Sequence, residues 1–189
     1  MHTGFVLVES EESRADLSSR LAARLSTATS GVFYLDGENS FRVYAAAEEA
    51  AAQGVPALEV LEKIRVARAF TCFQMVELLG NAARKASRED IAIVAGPCKT
   101  FADESVTDRE VSFFHRKALD ALTRINSRLT AVFQSREELG RRPWLLSQLR
   151  HATTSPVVLP EEADVDALLE GLRSRRALQW DAQRHLSVR

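Results

Sequence analysis

The 189-residue sequence predicts an α/β fold with a mostly parallel central sheet flanked by helices. Three observations predict it. Apolar runs of strand length alternate with longer stretches of helical periodicity, and repeated β-α-β order marks parallel strands joined by crossover helices. The run Ile91-Ala92-Ile93-Val94-Ala95 is apolar at every position, as expected of a strand covered on both faces. The first apolar run passes through a polar turn directly into a helical pattern, the join that an α/β unit requires.

Taken in order, residues 5–9 read as a strand, and a helix opens at 18–25 and runs to about 27. Residues 32–36 form the second strand. An Ala- and Glu-rich helix follows over 42–53, with Gly54 as its stop and Pro56 just beyond. A short helix at 57–63 leads into a third strand at 64–68. Residues 71–85 form an amphipathic helix whose inward stripe is Phe73, Val76, Leu79 and Ala83. After the fourth strand, 91–95, and a polar loop, a long helix covers 108–128, with Val111, Phe114, Ala118, Leu122 and Ile125 on one face. The fifth strand is 129–133. A short helix at 144–150, a terminal strand at 156–159 and a helix at 164–185 complete the chain. That last helix starts acidic (Asp164, Asp166, Glu170) and ends basic (Arg173, Arg175, Arg176, Arg184), so the macrodipole alone accounts for its polarity.

Composition narrows the function classes. With 46% hydrophobic and 27% charged residues, the chain reads as one domain able to bury roughly 70% of its unfolded surface. A net charge of −1 gives no global attraction to nucleic acid or acidic membranes. Cys72 and Cys98 lack CxxC or CxxH context, and His2, His115, His151 and His185 are scattered, so neither a disulfide framework nor a zinc site is indicated. There is no G-x-S-x-G elbow and no G-x-G-x-x-G turn. No stretch approaches the ~18 apolar residues of a membrane span, and Met1-His2-Thr3-Gly4 does not open a signal peptide. The expected compartment is the cytoplasm, with no membrane partner.

The loop after the first strand occupies the place of a G-x-x-x-x-G-K-[ST] phosphate loop. On that spacing the first Gly is Ser10, the second is Ala15, the Lys is Asp16 and the hydroxyl is Leu17. Each replacement removes a function: close backbone approach to phosphate, neutralising charge, or the Mg²⁺-holding hydroxyl. Glu9, Glu11 and Glu12 add negative charge nearby. A like-charge contact at about 4 Å costs roughly 1–4 kcal/mol at effective dielectrics of about 80 to 20, so this loop should repel a triphosphate. The same residues also suit an ordinary acidic helix start.

Five further segments, in order, resemble the ATPase core of the RecA/RadA recombinase family. Tyr34-Leu35-Asp36-Gly37-Glu38-Asn39-Ser40-Phe41-Arg42 is similar to that family's second core strand and acidic turn, written YIDTE-x-x-F-R. Val66-Ala67-Arg68-Ala69-Phe70 resembles its V-x-x-A-R-A-F segment. The strand ending at Ala95 stands where Walker B belongs. Leu129 to Ser135 resembles the strand that ends in a polar amide, and His151-Ala152-Thr153-Thr154 resembles H-A-[ST]-T. The resemblance covers about residues 5–160 and implies a three-layer RecA-like P-loop NTPase fold. It also makes the opening loop a degenerate Walker A.

Departures from the family pattern shape what the resemblance implies. The Walker B strand is followed by Ala95-Gly96-Pro97 rather than by an Asp. Glu38 matches the family's catalytic glutamate and Gln134 its phosphate-sensing amide. Without phosphate or metal a general base has nothing to act on, so both read as vestigial; a turn residue or a retained structural hydrogen bond remains open for each. Of the family's two nucleic-acid loops, the first corresponds to residues 97–107, where Lys99 is offset by Asp103 and Glu104. The second corresponds to 135–143, where Arg136, Arg141, Arg142 and Trp144 are candidates for phosphate contact and base stacking; a solvated loop with Trp144 in the core is the alternative. The sequence begins close to the first core strand, so the N-terminal segment by which family subunits join into filaments is not expected.

The function this implies is that of a catalytically inactive RecA/RadA-like accessory factor in DNA recombination or repair. It is expected to bind neither ATP nor Mg²⁺ and to act through a protein partner: an active recombinase, a repair factor or a second copy of itself. Two alternatives belong to other classes. One is a single-stranded DNA-binding accessory using the 136–144 loop, and the other is a residual NTPase built around Glu38.

Overall fold

In the computed structural model, which describes residues 4–174 apart from 154, 159 and 161, the strands are β1 (Val6–Ser10), β2 (Gly31–Asp36), β3 (Ile64–Arg68), β4 (Asp90–Ala95), β5 (Leu129–Ser135) and β6 (Ser155–Val158). The helices are α1 (Ala15–Ser26), α2 (Val43–Ala52), α3 (Ala57–Glu62), α4 (Cys72–Lys85), α5 (Asp108–Thr123), α6 (Trp144–Ala152) and α7 (Val165–Ser174). The strands pair in parallel throughout, in the order β3-β2-β4-β5-β1-β6. Burial follows that order. Every residue of β4 and β5 is buried, because these strands lie mid-sheet with helices on both faces. At the β3 edge Ile64 points inward while Arg65, Val66 and Arg68 are exposed.

Two apolar layers sandwich the sheet. On one side Leu21 of α1, Ala46 of α2, Val60 of α3 and Leu168 of α7 pack on Val32, Ile91 and Ala131. On the other, Met75 of α4, Val111 of α5 and Leu145 of α6 pack on Leu35, Val94 and Val132. The result is a three-layer α/β/α arrangement, as the RecA/RadA resemblance implies.

Several boundaries differ from the sequence expectation. Helix α1 starts at Ala15 rather than at 18, so Asp16 and Leu17 lie in its first turn. The buried stripe of α4 is Cys72, Met75, Leu79 and Ala82, whereas Phe73 is 52% exposed and Val76 and Ala83 are half-buried. Both stripes are apolar and run side by side, so helical periodicity alone does not choose between them. Phe73 instead meets Phe114 of α5 edge-on at 4.5 Å. Helix α5 ends at Thr123, five residues short of the expected 128. The Arg128 N–H already donates to the Asp90 carbonyl at 2.8 Å, so the chain must leave the helix to join the sheet. The final helix is described from Val165 to Ser174; the expected continuation to 185, with Arg175, Arg176 and Arg184, lies outside the described residues. No helix among the described residues is long and apolar enough to cross a membrane.

On the inner face of α5, His115 takes a place that apolar patterning would give to a hydrocarbon. It is 1% exposed. Its Nδ1 is 2.8 Å from Gln148 Oε1, an acceptor, so Nδ1 carries the proton and Nε2 accepts from the buried Cys98 thiol at 3.7 Å. Burial holds the imidazole below its ordinary pKa of 6.5. The unfolded chain therefore takes up a proton near pH 6.5 that the folded chain refuses. The stability His115 contributes is complete above that pH and declines as pH falls, by up to about 1.4 kcal/mol per unit. Urea denaturation of wild type and His115→Gln from pH 8 to pH 5 should show the difference between them narrowing on acidification.

Candidate functional site at the carboxyl end of the sheet

Strand order places four loops side by side. The chain leaves β1 and β2 toward α1 and α2 on one face, and leaves β4 and β5 toward α5 and α6 on the other. Where neighbouring strands send their connections to opposite faces, a crevice opens beyond their carboxyl ends. The loops 11–14, 37–42, 96–107 and 136–143 meet there.

Ser10 ends β1, and its Oγ donates to the Glu12 carbonyl at 2.6 Å. Ala15 and Leu17 are buried in the first turn of α1. The Asp16 side chain is 74% exposed and lies 4.0 Å from Arg42. The loop is fastened from the β5 side: the Arg136 N–H donates to the Ser10 carbonyl at 3.0 Å and the Glu137 N–H to the Glu11 carbonyl at 3.2 Å. The Arg136 guanidinium adds an ion pair to Glu11 at 2.5 Å. Just below, the buried Glu9 carboxylate receives both arms of Arg150, at 2.8 and 2.5 Å. Beside α1 lies a cleft of about 600 Å³ that includes Arg20, Arg24 and Arg42. Each of these cations meets an acid: Arg20 pairs with Glu48, Arg24 with Glu49 and Asp166, and Arg42 with Asp16.

The turn after β2 is built around Asp36. Its fully buried carboxylate accepts from the Ser40 N–H at 2.9 Å, the Phe41 N–H at 3.1 Å and Arg68 Nε at 3.4 Å. That folds residues 37–41 back over the end of β4. Gly37 is required: a Cβ there would lie 2.7 Å from the Gly96 carbonyl oxygen. Gly96 adopts φ +55, and a Cβ on it would fall 2.8 Å from the Glu38 side chain. The side chain of Glu38 thus occupies the space that a residue at position 96 would need. Its carboxyl faces that of Glu138, and Glu138 in turn takes Lys99 at 2.8 Å. Burial first, and then the neighbouring Glu138, push Glu38 up to about 8.

Gln134 is buried and satisfied within the protein. Its Oε1 accepts from the Cys98 N–H at 2.8 Å and its Nε2 donates to the Ser135 carbonyl at 2.9 Å. It braces the 3-10 turn Pro97–Phe101.

The four nucleic-acid candidates do not form one surface. Arg142 is fully buried, so its guanidinium is withdrawn from any phosphate outside. It donates to Asp108 at 2.8 Å and to the carbonyls of Phe101, Asp103 and Val106 at 2.8, 2.6 and 2.5 Å. This one side chain holds the loop ahead of α5 in place. Trp144 is half-buried against the α4–α6 core and meets His115 edge-on. Arg136 is engaged with Glu11, and Arg141 remains exposed, 3.4 Å from the Glu104 carbonyl. The roles of Glu138 and Arg142 escape sequence reading, because a carboxylate or guanidinium in a mixed-charge loop gives no sign of which neighbours the fold brings to it.

With this geometry in place, comparison with known families is decisive. The Rad51 family model matches residues 15–126, more than half of the chain. The chain belongs to the Rad51 family. The match runs from α1 through α5 and includes the Asp36 turn and Gly96, while Glu9, Gln134 and Arg142 lie outside it. No curated protein matches the chain.

In this Rad51-family chain, Arg142→Ala should take a donor from the buried Phe101 carbonyl and from the part-buried carbonyls of Asp103 and Val106, and should remove the partner of Asp108. A loss of about 3 kcal/mol or more in urea denaturation is expected, against less than about 0.5 kcal/mol for the exposed neighbour in Arg141→Ala.

Proposed function

We propose that this Rad51-family chain acts without bound nucleotide, as an accessory factor in DNA recombination or repair that works through protein contacts. The observation that carries this reading is the engagement of Glu38. A glutamate that polarises an attacking water must present an ionised carboxylate to an open site, whereas this carboxyl is turned onto Glu138 over Gly96.

The remaining residues fit a magnesium triphosphate poorly. Asp16 puts a carboxylate where the loop's lysine would stand, Leu17 puts a buried hydrocarbon where a hydroxyl would meet the metal, and the strand end Ala95-Gly96 offers no carboxylate. The guanidiniums of Arg20, Arg24, Arg42 and Arg136 are engaged with acids of the same chain, so a phosphate would have to displace them. A partner is expected to be an active recombinase, a repair factor or a second copy of the chain, since a fold kept without its chemistry retains surfaces.

About 5 mM Mg-ATP should leave the melting temperature unchanged. A nucleotide bound with a Kd of about 1 mM would stabilise the protein by roughly 1 kcal/mol, a rise of about 2–4 °C for a chain of this length. Such a rise would sink the reading. Pull-down from cell extract, read for recombination or repair proteins, tests its second half.

A further inference from the structure

Among the described residues, two buried side-chain polar atoms have no hydrogen-bond partner: Glu138 Oε2 and Ser135 Oγ. They sit near one another at the end of β5 and in the turn that follows, without meeting in a hydrogen bond. Ser135 is 3% exposed. Buried polar atoms left unpaired are uncommon, and each calls for an explanation. From across the crevice, the Glu38 carboxyl reaches the same place at hydrogen-bonding range of Glu138. Two ionised carboxylates in contact repel one another. A single proton between them converts that repulsion into an O–H···O⁻ bond and gives the orphaned oxygen a donor.

We propose that Glu38 and Glu138 share one proton, and that this proton is a clasp holding the 136–142 loop down on the turn after β2 and on the β1–α1 loop. When the proton leaves, the two carboxylates push the loops apart.

The surroundings favour a proton on Glu38 and a charge on Glu138. Lys99, from the turn after β4, sits 2.8 Å from Glu138 Oε1. Glu38 is faced by hydroxyls, Ser40 from its own turn and Ser13 from the β1–α1 loop. The other ionised groups nearby are engaged elsewhere: Asp36 with Arg68, Glu9 with Arg150 and Arg136, Glu11 with Arg136, and Asp16 with Arg42. Burial and Glu138 raise Glu38 to about 8, while Lys99 and the proton bond hold Glu138 low. A carboxyl that keeps its proton in the folded state to about pH 8, but only to its ordinary value of 4.5 when unfolded, stabilises fully below the lower value. That stabilisation is lost as pH rises through the higher one.

The amides of Arg136 and Glu137 read the clasp directly, since they donate to the Ser10 and Glu11 carbonyls across the crevice. Amide exchange of the full chain, corrected for the intrinsic pH dependence, should show their protection falling about tenfold between pH 7 and pH 9. Amides of β4 should hold theirs. In Glu38→Gln the side-chain amide donates to Glu138 at every pH, so protection should change less than about twofold across the same range. A flat wild-type profile overturns the clasp, and so does the same step in Glu38→Gln. If that variant does not fold, the carboxyl carbon of Glu38 in wild type decides. Titration near pH 8 supports the shared proton, and titration below about pH 6 overturns it.

Discussion

The backbone contact between Gly37 and Gly96 is the constraint on which the carboxyl end of this sheet depends. Neither position tolerates a side chain, because a Cβ at Gly37 would strike the Gly96 carbonyl and a Cβ at Gly96 would strike Glu38. With both bare, the turn after β2 lies flat on the end of β4, secured by the Gly37 N–H bonding the Ala95 carbonyl at 2.8 Å. Asp36 holds the turn closed from beneath. Only then can Glu38 reach across β4 to the loop that leaves β5. Position 37 carries a backbone demand, and position 38 delivers what that demand makes possible.

Around this contact the crevice satisfies itself. A loop between parallel strands and helices exposes polar backbone that must find partners, and in a phosphate-binding protein part of that demand falls on the ligand. Here loop carbonyls find their donors within the protein. The β1–α1 loop is bonded by the backbone of residues 136 and 137, Glu9 by Arg150, and the loop before α5 by the buried Arg142. Arg142 is the strongest instance, since one guanidinium serves three carbonyls and a carboxylate with no solvent contact. Its planar fork suits that task in a way a lysine would not.

Strands were easier to read in the sequence than sites, for physical reasons. The apolar runs of β4 and β5 are dictated by burial on both faces, so Ile91 to Ala95 and Leu129 to Phe133 identify themselves. Helix faces were less legible. In α4, Phe73 and Cys72 compete for the same wall, and only the neighbouring Phe114 settles which one turns outward. The YLDGENSFR segment was legible through its resemblance to the RecA/RadA acidic turn, whereas the burial of its aspartate and the close approach of Gly37 to Gly96 came only with the fold. Glu138 and Arg142 were not, since their chemistry depends on partners 34 to 41 residues away for Arg142, and on Glu38, far back in the chain, for Glu138. Charge in a loop records composition, whereas pairing is written by the fold.

The electrostatics of the crevice explain how a Rad51-family core can stand with acids where phosphate chemistry would call for cations. Asp16, Glu38 and Glu138 would repel one another and any polyphosphate if all were bare. Asp16 escapes by remaining exposed beside Arg42. Glu138 is neutralised in part by Lys99, and Glu38 by the proton that burial and its neighbour keep on it. Each acid is accommodated by a different means. The Glu38 side chain also takes up the volume that any side chain at position 96 would need.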